Sequence, residues 1–118
     1  MKELIWMGSS KTDLIKFLDD VRSVMGYALY LAQKGDKYLH AKPLKGFKGA
    51  GVLEIVEDFE GDTYRAVYTV QFKDVIFVLH AFQKKSKKGI STPKMEMDLI
   101  KSRLKRAKEI YIKGECHG

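Results

Sequence analysis

Two runs with strand-like alternation, Tyr64 to Phe72 and Val75 to Gln83, stand only two residues apart, a spacing that drives them to pair as an antiparallel hairpin. With Lys73-Asp74 as the turn, Phe72 faces Val75 and every later pair follows, so Arg65 lies opposite Phe82 and Val67 opposite His80. Side chains alternate along a strand, which puts Arg65, His80, Phe82 and Lys84 on one face of the sheet. The other face receives Tyr64, Ala66, Tyr68, Val70, Phe77, Leu79 and Ala81, and this apolar set is the one that helices should cover. A third strand, Val52 to Glu57, joins through the turn Asp58 to Thr63 and completes an antiparallel meander.

The flanking segments carry helical signals. Leu4 to Met7 reads as a short strand ended by Gly8-Ser9-Ser10, and Ser10 with Asp13 resembles a capping box that opens a helix. Leu14, Phe17, Leu18, Val21, Val24, Met25 and Ala28 recur at spacings of three and four, the mark of an amphipathic helix, with Gly35 as its stop. Asp19-Asp20 can cap a second helix, so the segment is either one rod or a helical hairpin. Residues 36–51, with Pro43, Gly46, Gly49, Gly51 and lysines at 42, 45 and 48, read as a basic loop. Thr92 as cap and Pro93 at the first helical position begin a last helix, whose Met97, Ile100, Leu104, Ala107 and Tyr111 face the core. The expected architecture is α+β, a single domain over residues 1–118, with N-terminal helices packed on a curved antiparallel sheet and a C-terminal helix.

Charge separates the two parts of the chain. Residues 84–118 hold eleven Lys/Arg against four Asp/Glu, an excess equal to the whole formal charge of +7. A polyanionic partner would gain affinity from such a tail by counterion release, while a solubilising basic helix has the same composition. No apolar stretch nears the roughly 20 residues of a membrane span, and the N-terminus lacks the build of a signal peptide, so a cytoplasmic protein without membrane partners is expected. The single cysteine, Cys116, allows no internal disulfide and reads with His117 as a tail. Nucleophile elbow, phosphate loop, His-Glu-x-x-His and paired cysteines are all missing from the sequence, and neither metal nor cofactor is expected. Asp58, Glu60 and Asp62 depart from calcium-loop spacing and read as a solvated turn.

An arginine, a histidine, a lysine and an aromatic ring on one sheet face suit RNA. Arg65 can grip a phosphate in a fork and stabilise a pentacoordinate transition state, Phe82 can stack on a base, and His80 or a lysine can move protons. Lys45 and Lys48 of the basic loop, and Lys87 and Lys88 of the Lys84–Lys88 cluster, are candidate RNA contacts. Each has a plainer role: Arg65 can pair with Glu54 or Glu57, and a strand histidine is more often structural.

The runs Gly-Asp-Thr-Tyr-Arg-Ala-Val-Tyr-Thr-Val (61–70), Val-Leu-His-Ala-Phe-Gln-Lys-Lys-Ser-Lys-Lys (78–88) and Thr-Pro-Lys (92–94) resemble the HigB-like, phage-derived branch of the RelE/ParE toxins, and Gly-Tyr-Ala-Leu-Tyr (26–30) and Pro-Leu-Lys-Gly-Phe (43–47) fit as well. The resemblance implies a toxin of a type II toxin–antitoxin system that cuts mRNA in the ribosomal decoding site by attack of a 2′-oxygen, without metal. It implies a helix-turn-helix, HigA-like antitoxin as partner. It also implies that Arg65 binds the scissile phosphate and that Lys84 and Lys85 supply further catalytic or RNA-contacting charge. RelE carries two lysines on the strand before its Tyr-Arg strand; here Leu53, Glu54 and Ile55 stand there, leaving His80, Lys45, Lys48 and Glu54, in that order, as candidates for the general base. ParE-like relatives that inhibit gyrase without cleaving anything, and a non-toxic nucleic-acid-binding accessory protein, are the competing classes.

Overall fold

A computed structural model describes residues 1–47, 49–85 and 92–114, with Lys85 described by its backbone. The elements run β1 (Glu3–Trp6), α1 (Ser10–Ile15), α2 (Asp19–Gln33), β2 (Ala41–Pro43), β3 (Val52–Phe59), β4 (Asp62–Thr69), β5 (Val75–Lys85) and α3 (Lys94–Lys113). The sheet order is β1-β5-β4-β3-β2. The mixed α+β class is as expected, but the sheet is not purely antiparallel: β1 pairs with β5 in parallel, from Glu3↔Val75 to Trp6↔Val78. A short edge strand, β2, also interrupts the loop expected over residues 36–51.

The tight hairpin lies one connection earlier than the spacing suggests. Phe59 pairs with Asp62, and Glu60-Gly61, at φ 52° and 87°, form the two-residue link with both central residues left-handed. Between β4 and β5 the pairing stops at Tyr68↔Val78, and Lys73-Asp74 belongs to a longer loop. The expected pairs nevertheless hold at the far end, Arg65↔Phe82 and Val67↔His80, because a bulge beyond Val67 shifts the next pair to Tyr68↔Val78. There the Phe77 amide donates to the Thr69 hydroxyl oxygen at 3.1 Å.

The bulge reverses the faces of the lower half of β5. Ile76 and Val78, not Phe77 and Leu79, join Tyr64, Ala66 and Tyr68 under α1 and α2. Phe77 and Leu79 turn to the opposite face and pack with Val67, Ile100, Leu104 and Ala107. Helices therefore cover both faces, and the face carrying Arg65 is half roofed by α3.

The two N-terminal helices form the hairpin alternative, with Leu18 at φ −56° and ψ 149° breaking the rod just before Asp19. Ser9, not Ser10, occupies the cap position of α1; the buried Ser10 hydroxyl donates instead to the Val78 carbonyl at 3.0 Å, tying α1 to β5. Likewise Pro93 rather than Thr92 precedes the first residue of α3, which frees the Thr92 side chain for another partner. Among the described residues no helix is long and apolar enough to cross a membrane.

Candidate functional site

On the Arg65 face, the strand register arranges side chains in rows. Asp58, Thr63 and Lys84 form one row, Val56, Arg65 and Phe82 the next, and Glu54, Val67 and His80 a third, with Lys42 of β2 opposite Glu54. Rows on one face are spaced by about 6.6 Å along the strands and neighbours within a row by about 4.8 Å. Beside the part of this face that α3 roofs, a cleft of about 670 Å³ opens over Glu54, Val56, Asp58, Thr63 and Arg65, walled by residues 42–46 on one side and by Thr92 and by Met97 of α3 on the other.

Arg65 is only 7 % exposed, and its guanidinium leans along the strand toward the third row. Nη1 donates to Glu54 Oε1 at 2.7 Å and to Thr92 Oγ1 at 3.3 Å. Glu54 is itself 4 % exposed, so the cleft floor holds an ion pair shielded from bulk water but open toward a ligand entering from above. The exposed Lys42 and Lys45 add positive charge to the rim. Asp58 Oδ1 accepts from the buried Thr63 hydroxyl at 2.8 Å. Among the described residues no three His, Cys, Asp or Glu side chains gather as a metal site requires.

His80 lies elsewhere. It is 4 % exposed beneath α3, where its Nε2 is 2.8 Å from Glu96 Oε1 and its Nδ1 is 3.1 Å from Arg103 Nη1. Arginine can only donate, so Nδ1 accepts and Nε2 carries the proton given to Glu96. Arg103 Nη1 also donates to the Leu79 carbonyl at 2.9 Å, and Nη2 to Ser9 Oγ at 3.3 Å. This network clamps α3 to β5 and to the start of α1. Phe82 stacks on His80 with ring centroids 5.2 Å apart and is 9 % exposed.

Of the residues singled out from sequence, the structure gathers Arg65, Glu54 and Lys45 around one cleft, while Lys84 pairs with Thr63 in the row of Asp58 and stands outside the cleft lining. It does not bring His80 into that cleft. Lys85 Cα pairs with Asp62; its side chain, together with Lys48, Lys87 and Lys88, lies outside the described residues. In sequence, Thr92 reads as a helix cap, Met97 as a core residue and Asp58 as part of a solvated turn, and none of them as a site residue. The first two reach the cleft only through the long-range docking of α3, whereas Asp58 was legible as a same-face neighbour of Glu54 at four residues' separation.

An α+β chain with a buried carboxylate–guanidinium pair at the floor of a lysine-rimmed cleft has the donors to hold a small anionic group in a defined orientation. Residues 12–105 match the family described as Phage derived protein Gp49-like (DUF891). The chain belongs to that family, which lies in the RelE/toxin-like group. Neither the curated proteins nor the solved structures yield a match.

Proposed function

We propose that this protein is a HigB-like toxin of a type II toxin–antitoxin pair and acts as a metal-independent endoribonuclease on mRNA. The observation that carries the reading is the Glu54–Arg65 pair, 2.7 Å apart on the floor of an open cleft rimmed by Lys42 and Lys45. Family membership supports the toxin class, and the basic C-terminal third suits a polyanionic substrate.

In this mechanism the guanidinium forks onto the non-bridging oxygens of the scissile phosphate and stabilises the charge that builds on them. Glu54 takes the proton of the neighbouring 2′-hydroxyl as the 2′-oxygen bonds to phosphorus. Sharing of Arg65 with the phosphate leaves the carboxylate less neutralised and therefore a better base. The bond from phosphorus to the 5′-oxygen breaks, and the ammonium of Lys45 or Lys42 delivers a proton to the departing oxygen. The products are a 2′,3′-cyclic phosphate and a 5′-hydroxyl. Glu54 replaces His80 as first choice for the base because His80 has both ring nitrogens engaged under α3.

Mapping of cellular RNA ends after induction tests this. The expected result is new 5′-hydroxyl ends within translated codons, absent for Arg65→Ala and Glu54→Gln. Intact messages accompanied by altered plasmid supercoiling would replace the nuclease with gyrase inhibition. Ribosome dependence is read by repeating the cleavage on naked RNA. A helix-turn-helix antitoxin that covers the cleft should abolish cleavage in the purified complex.

A further inference from the structure

Asp58 is an awkward residue for a cleft that binds RNA backbone. Its carboxylate is exposed, it makes no ion pair among the described residues, and it would repel a phosphate. A carboxylate in such a place is useful if it meets hydrogen-bond donors instead, and the donors that RNA offers are the amino and imino groups of its bases.

The surroundings fit that role. Thr63, 2 % exposed, donates its hydroxyl proton to Asp58 Oδ1 and so fixes the carboxylate's orientation before any ligand arrives. A carboxylate has about four lone-pair positions, so both oxygens still accept from a base. On the far side of Thr63 in the same row, the register places Lys84, a pure donor. Between this row and the Glu54–Arg65 pair lies Val56, half-buried, with Met97 across the cleft. Met97 is seated against Gly46, whose missing side chain makes the room: a Cβ there would stand 3.0 Å from Met97 Cε. An apolar slot for a flat ring is thus flanked on one side by the phosphate grip and on the other by an acceptor and a donor. Asp58 and Glu54 are four residues apart on β3, about 13 Å along the strand, which is within the reach of one nucleotide.

We propose that the row Asp58–Thr63–Lys84 is a base-reading subsite that selects guanine in the nucleotide flanking the scissile phosphate. Guanine presents two adjacent donors, N1–H and the N2 amino group, beside the O6 acceptor. The two donors match the carboxylate and O6 matches the lysine. Adenine sets its N1 acceptor against the carboxylate. Uracil has one donor between two acceptors, and cytosine one donor beside two acceptors. This inference rests on the cleft being an RNA site, and the experiment separates the two claims.

Binding is measured by fluorescence anisotropy with uncleavable 2′-O-methyl oligonucleotides that carry a single guanine, inosine or adenine in a uridine context. Cleavage of the corresponding RNAs is mapped in parallel. Inosine differs from guanine only in lacking the N2 amino group, so wild-type protein should bind the guanine oligonucleotide on the order of tenfold more tightly. In Asp58→Asn the guanine-to-inosine ratio should collapse toward one, and in Thr63→Val it should shrink; thermal melts show whether each variant is folded. Equal binding of guanine and inosine by wild-type protein overturns the subsite without recourse to any variant, and so does a ratio unchanged in folded Asp58→Asn. Cleavage without guanine preference removes the subsite and leaves the nuclease. Asp58-dependent guanine preference without cleavage removes the nuclease and leaves the subsite. Absence of both binding and cleavage removes both.

Discussion

Glu54 and Arg65 are not direct partners across β3 and β4. The register sets Glu54 opposite Val67 and Arg65 opposite Val56, and the guanidinium reaches diagonally to close a 2.7 Å contact with side chains 5 % and 9 % exposed. A diagonal reach along the strand lays the guanidinium over the cleft floor, with Thr92 of the α3 approach as its second acceptor. Removing one partner strands the other's charge in a poorly hydrated site. Arg65→Ala should therefore lower unfolding free energy by about 3–5 kcal/mol. Glu54→Gln, which keeps an acceptor oxygen for Arg65, should lose less. The double variant Glu54→Leu, Arg65→Met should recover much of the loss, since replacing both charges with apolar groups removes the desolvation penalty. Urea titrations check the order, and a loss in the double variant as large as the two single losses added together would show that the pair is not coupled.

Activity should separate from stability at the same residues. If Glu54 is the base, Glu54→Gln lowers cleavage by about 10²- to 10⁴-fold, the range that general-base catalysis contributes. Cleavage retained within a few-fold would move the role of base from Glu54 to Lys45.

His80 should behave as part of the α3 clamp. His80→Ala leaves Arg103 Nη1 with only the Leu79 carbonyl from the present pair of acceptors, and it leaves Glu96 without its donor. A loss of about 1–3 kcal/mol is expected from a buried network broken on one side, with faster hydrogen exchange in the first half of α3. The pH–rate profile of any cleavage should keep its shape. Disappearance of a limb near neutral pH from a variant with an unchanged melt would instead return a proton-transfer role to His80.

The parts of this fold governed by short-range rules could be read from the chain. The alternation of Tyr64, Ala66 and Tyr68 against Arg65 and Val67 gave the strand and its two faces, and the three-and-four spacing of Ile100, Leu104 and Ala107 gave the buried side of α3. The pair Arg65↔Phe82 was also legible, but through two departures that offset each other: a longer loop at residues 70–74 and a bulge beyond Val67. A bulge has no strong sequence signature when its residues are as uniformly apolar as Phe77, Val78 and Leu79, so their faces were inverted. The roofing of His80 by α3 depends on Glu96 and Arg103 meeting it over sixteen and twenty-three residues of chain, which no local pattern encodes. The same holds for Thr92, whose position before a proline suggested a helix cap while the tertiary fold directs its hydroxyl to Arg65.

Gly51 should tolerate no side chain. It has φ +67°, and a Cβ built there would lie 2.6 Å from Gln71 Cβ and 3.1 Å from the Gln71 backbone, just where Val70 N–H donates to the Gly51 carbonyl at 2.7 Å. Left-handed backbone alone costs a non-glycine residue about 1–2 kcal/mol. Gly49, at φ +75° with nothing within 4 Å of its would-be Cβ, supplies the control for that part. Gly51→Ala should therefore be clearly more destabilising than Gly49→Ala, the difference measuring the clash at the entry to β3. Equal losses would mean that the Gln71 segment yields freely.

Stability should decline in alkali through Tyr68. Its side chain is fully buried, its hydroxyl has no hydrogen-bond partner among the described residues, and burial pushes its pKa up to about 12. The unfolded chain titrates near 10. Between these values the native state retains a proton that the unfolded state has released, so the native state binds more protons and stability falls as pH rises. The contribution is complete below pH 10 and fades through about pH 12, the folding constant dropping by up to tenfold per pH unit from this one group. Tyr68→Phe removes both the unsatisfied hydroxyl and the titration. At neutral pH the variant should be as stable as wild type or slightly more so, because the deleted group made no bond. Above pH 10 its melting temperature should fall less steeply. A neutral-pH loss above about 1 kcal/mol would mean that the hydroxyl does find a partner, and parallel alkaline slopes would assign the titration to another group.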